Sequence, residues 1–138
     1  MRIKLDEGAR MPVKAHRSDA GYDLFCREEC YLKAGGSVCI DTGVHMEIPE
    51  GWYGKIESKS GLNVKHSIVS CGGVIDSGYT GSIVVKLYNF NRGWDYIFRA
   101  GDKVAQIVFM QCGDFELEQV DALGDTERGS GGFGSTGR

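Results

Sequence analysis

The stretch that decides the fold runs from Cys71 to Asn89, C-G-G-V-I-D-S-G-Y-T-G-S-I-V-V-K-L-Y-N. It sets one acid, Asp76, between two apolar runs with strand character, and Gly72, Gly73, Gly78 and Gly81 crowd around that acid. Glycine at this density marks backbone that takes positive φ or lets a ligand come close, so the pattern predicts a tight hairpin. Tyr79 adds a flat ring to the same turn. A carboxylate and an aromatic ring on a glycine-lined hairpin can hold a nucleobase or sugar beside a general base. The same residues would also serve a purely structural hairpin in which Asp76 caps its own backbone.

Outward from this hairpin, short alternating segments recur with turn signals between them, and no long window carries helical periodicity. Ile3 and Leu5 open the series, Tyr31–Lys33 and Ser37–Ile40 flank a Gly35-Gly36 turn, and Val44, Met46 and Ile48 alternate with His45 and Glu47. Tyr53–Glu57, Ser67–Cys71 and Ser82–Phe90 read as further strands. Lys103–Cys112 is apolar on both faces, as for a strand covered on both sides, with Gln106 interrupting it. Phe115 and Leu117 begin a last strand. Ser60–Val64 is the one helical turn or two, with Ser60 as N-cap. The expectation is an all-β, jelly-roll-like β-barrel over residues 1–124. Residues 125–138 form a glycine-rich, flexible arm too poor in apolar side chains to join a core.

With 138 residues and 41% apolar content, the chain fits one domain with an ordinary core. No run approaches the length of a membrane span, and the first residues show no apolar signal segment, so a cytoplasmic protein without membrane partners is expected. The five cysteines show no disulfide-framework spacing and read as buried thiols. A formal net charge of -3 argues against a nucleic-acid surface, so phosphate recognition must be local.

Four places offer such chemistry. Backbone N–H groups of the terminal Gly-Ser-Gly-Gly run can form an anion nest, with Arg128 as a forked cation and Ser135 and Thr136 as hydroxyl donors. Phe133 in that run has nothing to bury unless the arm folds over a base. Ser58-Lys59-Ser60-Gly61 places two hydroxyls, an ammonium and free N–H groups at a strand-to-helix corner. Gln106 is a side-chain amide inside an apolar strand and must find a partner, and Asp23 sits in A-G-Y-D-L.

Taken together these segments resemble the trimeric deoxyuridine triphosphate nucleotidohydrolases (dUTPases). The resemblance runs in order through A-G-Y-D-L from Ala20, S-K-S-G-L from Ser58, G-V-I-D-S-G-Y-T-G from Gly73, G-D-K-V-A-Q from Gly101 and R-G-S-G-G-F-G-S-T-G from Arg128. It implies a homotrimer with sites at subunit boundaries, hydrolysing dUTP to dUMP and pyrophosphate with Mg²⁺. By the resemblance, Asp76 activates the attacking water and Tyr79 packs under the deoxyribose to exclude a 2′-hydroxyl. Main-chain groups around Gly73, Val74, Ile75 and Val84 read the uracil edge. Lys59, Ser60, Gly61 and Gln106 hold phosphates, and Arg128, Phe133, Gly134, Ser135 and Thr136 close over the nucleotide. Asp23 reaches the magnesium through water. One departure stands out: the family usually has Pro-Arg-Ser where this chain has Ser58-Lys59-Ser60, and lysine keeps the charge but lacks the bidentate fork. Two other classes fit parts of the pattern: a dCTP deaminase of related fold, and a non-catalytic module that binds the nucleotide to switch a partner surface.

Overall fold

Residues 1–132 of the computed structural model are described, and they contain eleven strands and one short helix. The strands are β1 (Ile3–Leu5), β2 (Gly21–Phe25), β3 (Cys30–Leu32), β4 (Ser37–Asp41), β5 (Val44–Met46), β6 (Trp52–Glu57), β7 (Ile68–Ser70), β8 (Val74–Ile75), β9 (Val84–Asn89), β10 (Tyr96–Phe98) and β11 (Lys103–Gln111), with α1 (Ser60–His66) between β6 and β7. The all-β, jelly-roll-like expectation is met. The strands distribute over four sheets rather than one continuous barrel wall: β2-β11-β6-β8, β4-β9-β7, β1-β5 and β3-β10.

Alternation decides which side chains turn inward. Val85 and Leu87 of β9 are buried while Val84 is exposed, and Val44 and Met46 of β5 are buried around a half-buried His45. These meet Leu24, Leu32, Ile68, Phe98 and Ile107 in one core, where each fully buried aliphatic contributes about 1.5–3 kcal/mol. The C-terminal half of β11 is less covered than its pattern promised: Val104, Ala105 and Ile107 are buried, but Met110 and Gln111 are exposed.

The predicted hairpin is not tight. β7 and β9 do pair, Ser70 opposite Leu87, but the connection between them leaves their sheet and inserts β8 beside β6, with Ile75 opposite Gly54. The glycine loop therefore bridges two sheets. Nor does the Gly35-Gly36 turn join a hairpin, because β3 pairs with β10 and β4 with β9.

Three further expectations are corrected. Ser60 is the first residue of α1; the cap is Lys59, in extended conformation and without a side-chain capping bond. The strand expected at Phe115 and Leu117 does not form: from Cys112 to Gly132 there is no strand or helix, and both apolar side chains stand in solvent, with no partner strand among the described residues. Of the cysteines only Cys26 is buried, while Cys39, Cys71 and Cys112 are exposed. Cys39 lies on the outward side of β4, opposite Lys86, and the other two follow strand ends.

Candidate active site

β8 delivers Asp76 directly after the buried Ile75. The Tyr79 N–H donates to the Asp76 carbonyl at 3.1 Å, closing a turn that presents the Asp76 carboxylate to solvent. The Tyr79 hydroxyl donates to the Ser82 carbonyl at 2.9 Å, which lays the ring back over Gly81. A methyl group at Gly81 would sit 2.5 Å from that hydroxyl, so the ring keeps this position only over a glycine.

Beside the turn, Lys55, Ile56, Glu57, Ser70, Gly72, Gly73 and Val74 line a pocket of about 260 Å³. At Gly72 and Gly73 its wall is bare main chain. Gly73 takes φ 118° and its carbonyl accepts the Ile56 N–H at 2.8 Å, an approach so close that any side chain there would strike Ile56. Val74 and the first residue of β9, Val84, are both exposed next to this loop. A flat, polar-edged molecule can be read here by N–H and C=O groups whose positions are set by sheet pairing.

The cationic end lies where β2, β11 and the start of α1 meet. Asp23 is buried, with Gln106 opposite it on β11, and its two carboxylate oxygens receive the ammonium groups of Lys59 and, at 2.6 Å, Lys103. Burial pushes the Asp23 carboxyl upward, but the hydrogen bonds and charges of Lys103 and Lys59 more than reverse this, holding it below the ordinary carboxylate value. Gln106 donates from Nε2 to the Ser58 carbonyl at 3.1 Å, and Gly21 leaves the room its side chain occupies. Lys59 and Lys103 also line a groove of about 300 Å³ with Gly61, Leu62, Lys65, His66 and Tyr96. Ser60 and Gly61 are exposed there, and nothing lies within 4 Å of where a Gly61 side chain would begin. An open backbone beside two ammonium groups suits a phosphate chain.

The chain thus presents a base-sized pocket where β6 meets β8, an exposed acid just after β8, and a lysine-rich groove at the corner between β6 and α1. A family model for dUTPase matches residues 7–137. The chain belongs to that family. Among dUTPase relatives, the probable deoxyuridine 5′-triphosphate nucleotidohydrolase of Schizosaccharomyces pombe is 40% identical over 134 residues, covering 97% of this chain and 95% of its own. The Mus musculus deoxyuridine 5′-triphosphate nucleotidohydrolase is 39% identical, covering 99% of this chain and 83% of its own. Among solved structures, a point mutant of the Staphylococcus bacteriophage 80alpha dUTPase with dUpNHpp superposes with a TM-score of 0.93 at 31% identity, covering 99% of this chain and 98% of that one. A dUTPase from phage phi11 of S. aureus, which coordinates a structural Mg(II) ion, superposes at 0.81 with 32% identity, covering 88% of this chain and 96% of that one.

Of the residues that the dUTPase motifs single out, the fold brings Asp76 and Tyr79 into one turn next to Gly73, Val74 and Ile75. Lys59, Ser60 and Gly61 stand at the corner that also carries Asp23 and Gln106. Arg128 is not brought in: its Nε donates to the Gly131 carbonyl within the arm, and among the described residues none of its hydrogen bonds reaches the sheets. Phe133, Gly134, Ser135 and Thr136 lie outside the described residues. The Ser58 Oγ is engaged within the fold, accepting the Ser70 N–H at 2.8 Å and meeting the Ser70 hydroxyl at 3.1 Å. The sequence reading missed Lys103. The signal was present in G-D-K-V-A-Q, but only the register of β11 against β2 shows that this lysine shares Asp23 with Lys59.

Proposed function

We infer that this chain hydrolyses dUTP to dUMP and pyrophosphate, and propose that Asp76 is its general base. The observation that carries this reading is the exposed Asp76 carboxylate on a turn closed by Tyr79, directly after the strand that lines the pocket at Gly73 and Val74.

Uracil enters the pocket at Gly73 and Val74 and is recognised by main-chain groups. The Tyr79 ring supports the deoxyribose and leaves no room for a 2′-hydroxyl. At a subunit boundary the phosphate chain meets Ser60 and Gly61, where Lys59 and Lys103 offset the charge that develops on the phosphoryl oxygens and the leaving pyrophosphate. Asp76 orients a water for attack at phosphorus and takes its proton. Gln106, tethered to the Ser58 carbonyl, turns its remaining amide face to the phosphates.

No three His, Cys, Asp or Glu side chains converge among the described residues, so a magnesium ion would be held chiefly by the triphosphate. Asp23 would reach such an ion through water by releasing Lys59 or Lys103, which now hold its two oxygens, to the phosphates. Bound there, the ion would offset charge on the phosphoryl oxygens.

The arm beyond β11, with Phe115, Leu117, Val120 and Leu123 exposed, supports a homotrimer in which each arm lies on a neighbouring copy, carrying Arg128, Phe133, Gly134, Ser135 and Thr136 to that copy's site.

The test is pyrophosphate release from dUTP, UTP, dCTP and dTTP. Release from dUTP alone is expected, and Asp76→Asn should lower kcat by about 10² or more while still binding the nucleotide. Ammonia release from dCTP, or near-unchanged turnover in Asp76→Asn, would overturn the assignment.

A further inference from the structure

His45 stands midway along β5, between the inward-facing Val44 and Met46, with its ring on the outer side of the sheet. Its Nδ1 is 2.8 Å from the carbonyl oxygen of Thr80 and its Nε2 is 3.0 Å from Oδ2 of Asp6. A carbonyl oxygen can only accept. The Asp6 carboxyl is held below the ordinary carboxylate range, first by its bond to His45, so it too is an ionised acceptor. A neutral imidazole has one N–H and would leave a ring lone pair facing an oxygen lone pair, so only the imidazolium satisfies both contacts.

Thr80 is the residue after Tyr79. From Tyr79 to Ser82 the chain is tied to a single charged cluster at two points. Thr80 is held through His45 and Asp6. Ser82 is held through its hydroxyl, which donates to Asp41, and Asp41 receives Arg27 at 2.8 Å, whose guanidinium also faces Asp6 at 3.9 Å. Between these anchors lies Gly81, with the Tyr79 ring laid over it. Loss of the Thr80 anchor frees the half of the loop next to Tyr79, which sets the height of the ring beneath the sugar.

We propose that His45, in its doubly protonated form, is a positioning residue that sets discrimination against ribonucleotides by holding the Thr80 carbonyl and, through it, the Tyr79 ring. This rests on the reading of Tyr79 as the sugar platform. Its range of action follows from the groups that face the ring. Asp6 favours the proton, and Lys4, the cross-strand partner of His45 on β1, opposes it. Arg27 and Asp41 act through Asp6. Arg2 and Glu47, 2.5 Å apart, line with Lys4 and His45 a cavity of about 210 Å³. On the loop side the nearest titratable groups along the chain are Tyr79 and Asp76. The bonds to Asp6 and then Thr80 raise the His45 pKa above its ordinary 6.5. The anchor is therefore complete below the ordinary histidine value and is lost as pH rises through the raised one.

The experiment measures kcat/KM for dUTP and UTP from about pH 6 to about pH 9, in wild type and in His45→Gln, which cannot carry the charge. Because both substrates use the same base and phosphate contacts, the UTP-to-dUTP ratio cancels titrations of the chemistry. In wild type this ratio should rise about two- to fivefold toward the alkaline end, the range for a half-exposed charge pair. In His45→Gln it should be raised and flat. A ratio independent of pH in wild type, or one with the same pH dependence in His45→Gln, would refute the proposal. Imidazole NMR of the wild-type protein gives an arm independent of catalysis, in which the Thr80 amide should follow the His45 titration. If the protein proves inactive on dUTP, the parent reading fails. The anchor is then decided by this titration alone, and a Thr80 resonance that ignores His45 would overturn it.

Discussion

Replacing Asp23 with asparagine keeps the shape of the side chain and removes the one negative charge between two ammonium groups. Asp23 is almost fully buried, its side chain 5% exposed, whereas Lys59 and Lys103 are 26% and 45% exposed. Breaking a buried ion pair from one side costs about 3–5 kcal/mol, but a surface pair is worth at most about 1 kcal/mol. With a buried acid and two lysines that reach water, the cost falls between these limits, at about 2 kcal/mol. For a 138-residue chain this corresponds to a fall in Tm of about 6 °C at neutral pH. The sign with pH is fixed by the depressed pKa of the carboxyl. Its contribution is complete above the unfolded value near 3.8 and drains away as pH falls through that value toward the lower folded one. Thermal unfolding followed by circular dichroism, at equal subunit concentration and without nucleotide, should show the gap between wild type and Asp23→Asn at pH 7 and its narrowing near about pH 3. Equal melting at pH 7, or a gap unchanged by acid, would refute the assignment of Asp23 as the acid that holds the two lysines in place.

Two other substitutions test the site through glycine. Gly81→Ala puts a methyl 2.6 Å from Tyr79 Cζ, and because the ring's far end can swing aside, stability should change by less than about 1 kcal/mol. Discrimination against UTP should fall by about tenfold, and an unchanged kcat/KM ratio would place the sugar gate elsewhere. Gly21→Ala puts a methyl 3.0 Å from Gln106 Cβ and closer still to its amide, which should cost about 1–3 kcal/mol and detach Gln106 from Ser58. Steady-state kinetics should show KM for dUTP raised more than kcat is lowered, and an unaltered KM in a folded variant would remove Gln106 from phosphate binding.

The strands that could be read from the sequence were those with strict alternation over a buried face, such as Val44, Met46 and Ile48, or Ile83, Val85 and Leu87. Local pattern failed where pairing is decided at a distance. Val74 and Ile75 form a two-residue strand only because Gly54 and Lys55 lie alongside, and nothing within Cys71–Asn89 marks that crossing. Phe115 and Leu117 carry strand alternation, yet among the described residues no strand lies beside them. Within the site, Asp76 and Tyr79 stood out because their turn is local. The Lys59–Asp23–Lys103 cluster joins three segments, and His45 meets Asp6 and Thr80 from sequence separations of 39 and 35, so no motif could display either.

The contact between Gly73 and Ile56 bears on how this protein can change. Part of the pocket wall is main chain held by the pairing of β6 with β8, and Gly73 in that wall cannot accept any side chain without striking Ile56. Amino-acid replacement at the lining positions therefore alters the groups that project around the base, not the donors and acceptors that would read its edge. A lineage or an engineer seeking a different base would have to shift strand register or lengthen the loop, a change made of insertions and deletions rather than point substitutions. The side chains proposed to meet the sugar and the phosphate chain, Tyr79, Lys59 and Lys103, remain open to single steps. By this reasoning, point substitution can retune sugar and phosphate contacts while leaving the base-reading edge as it is.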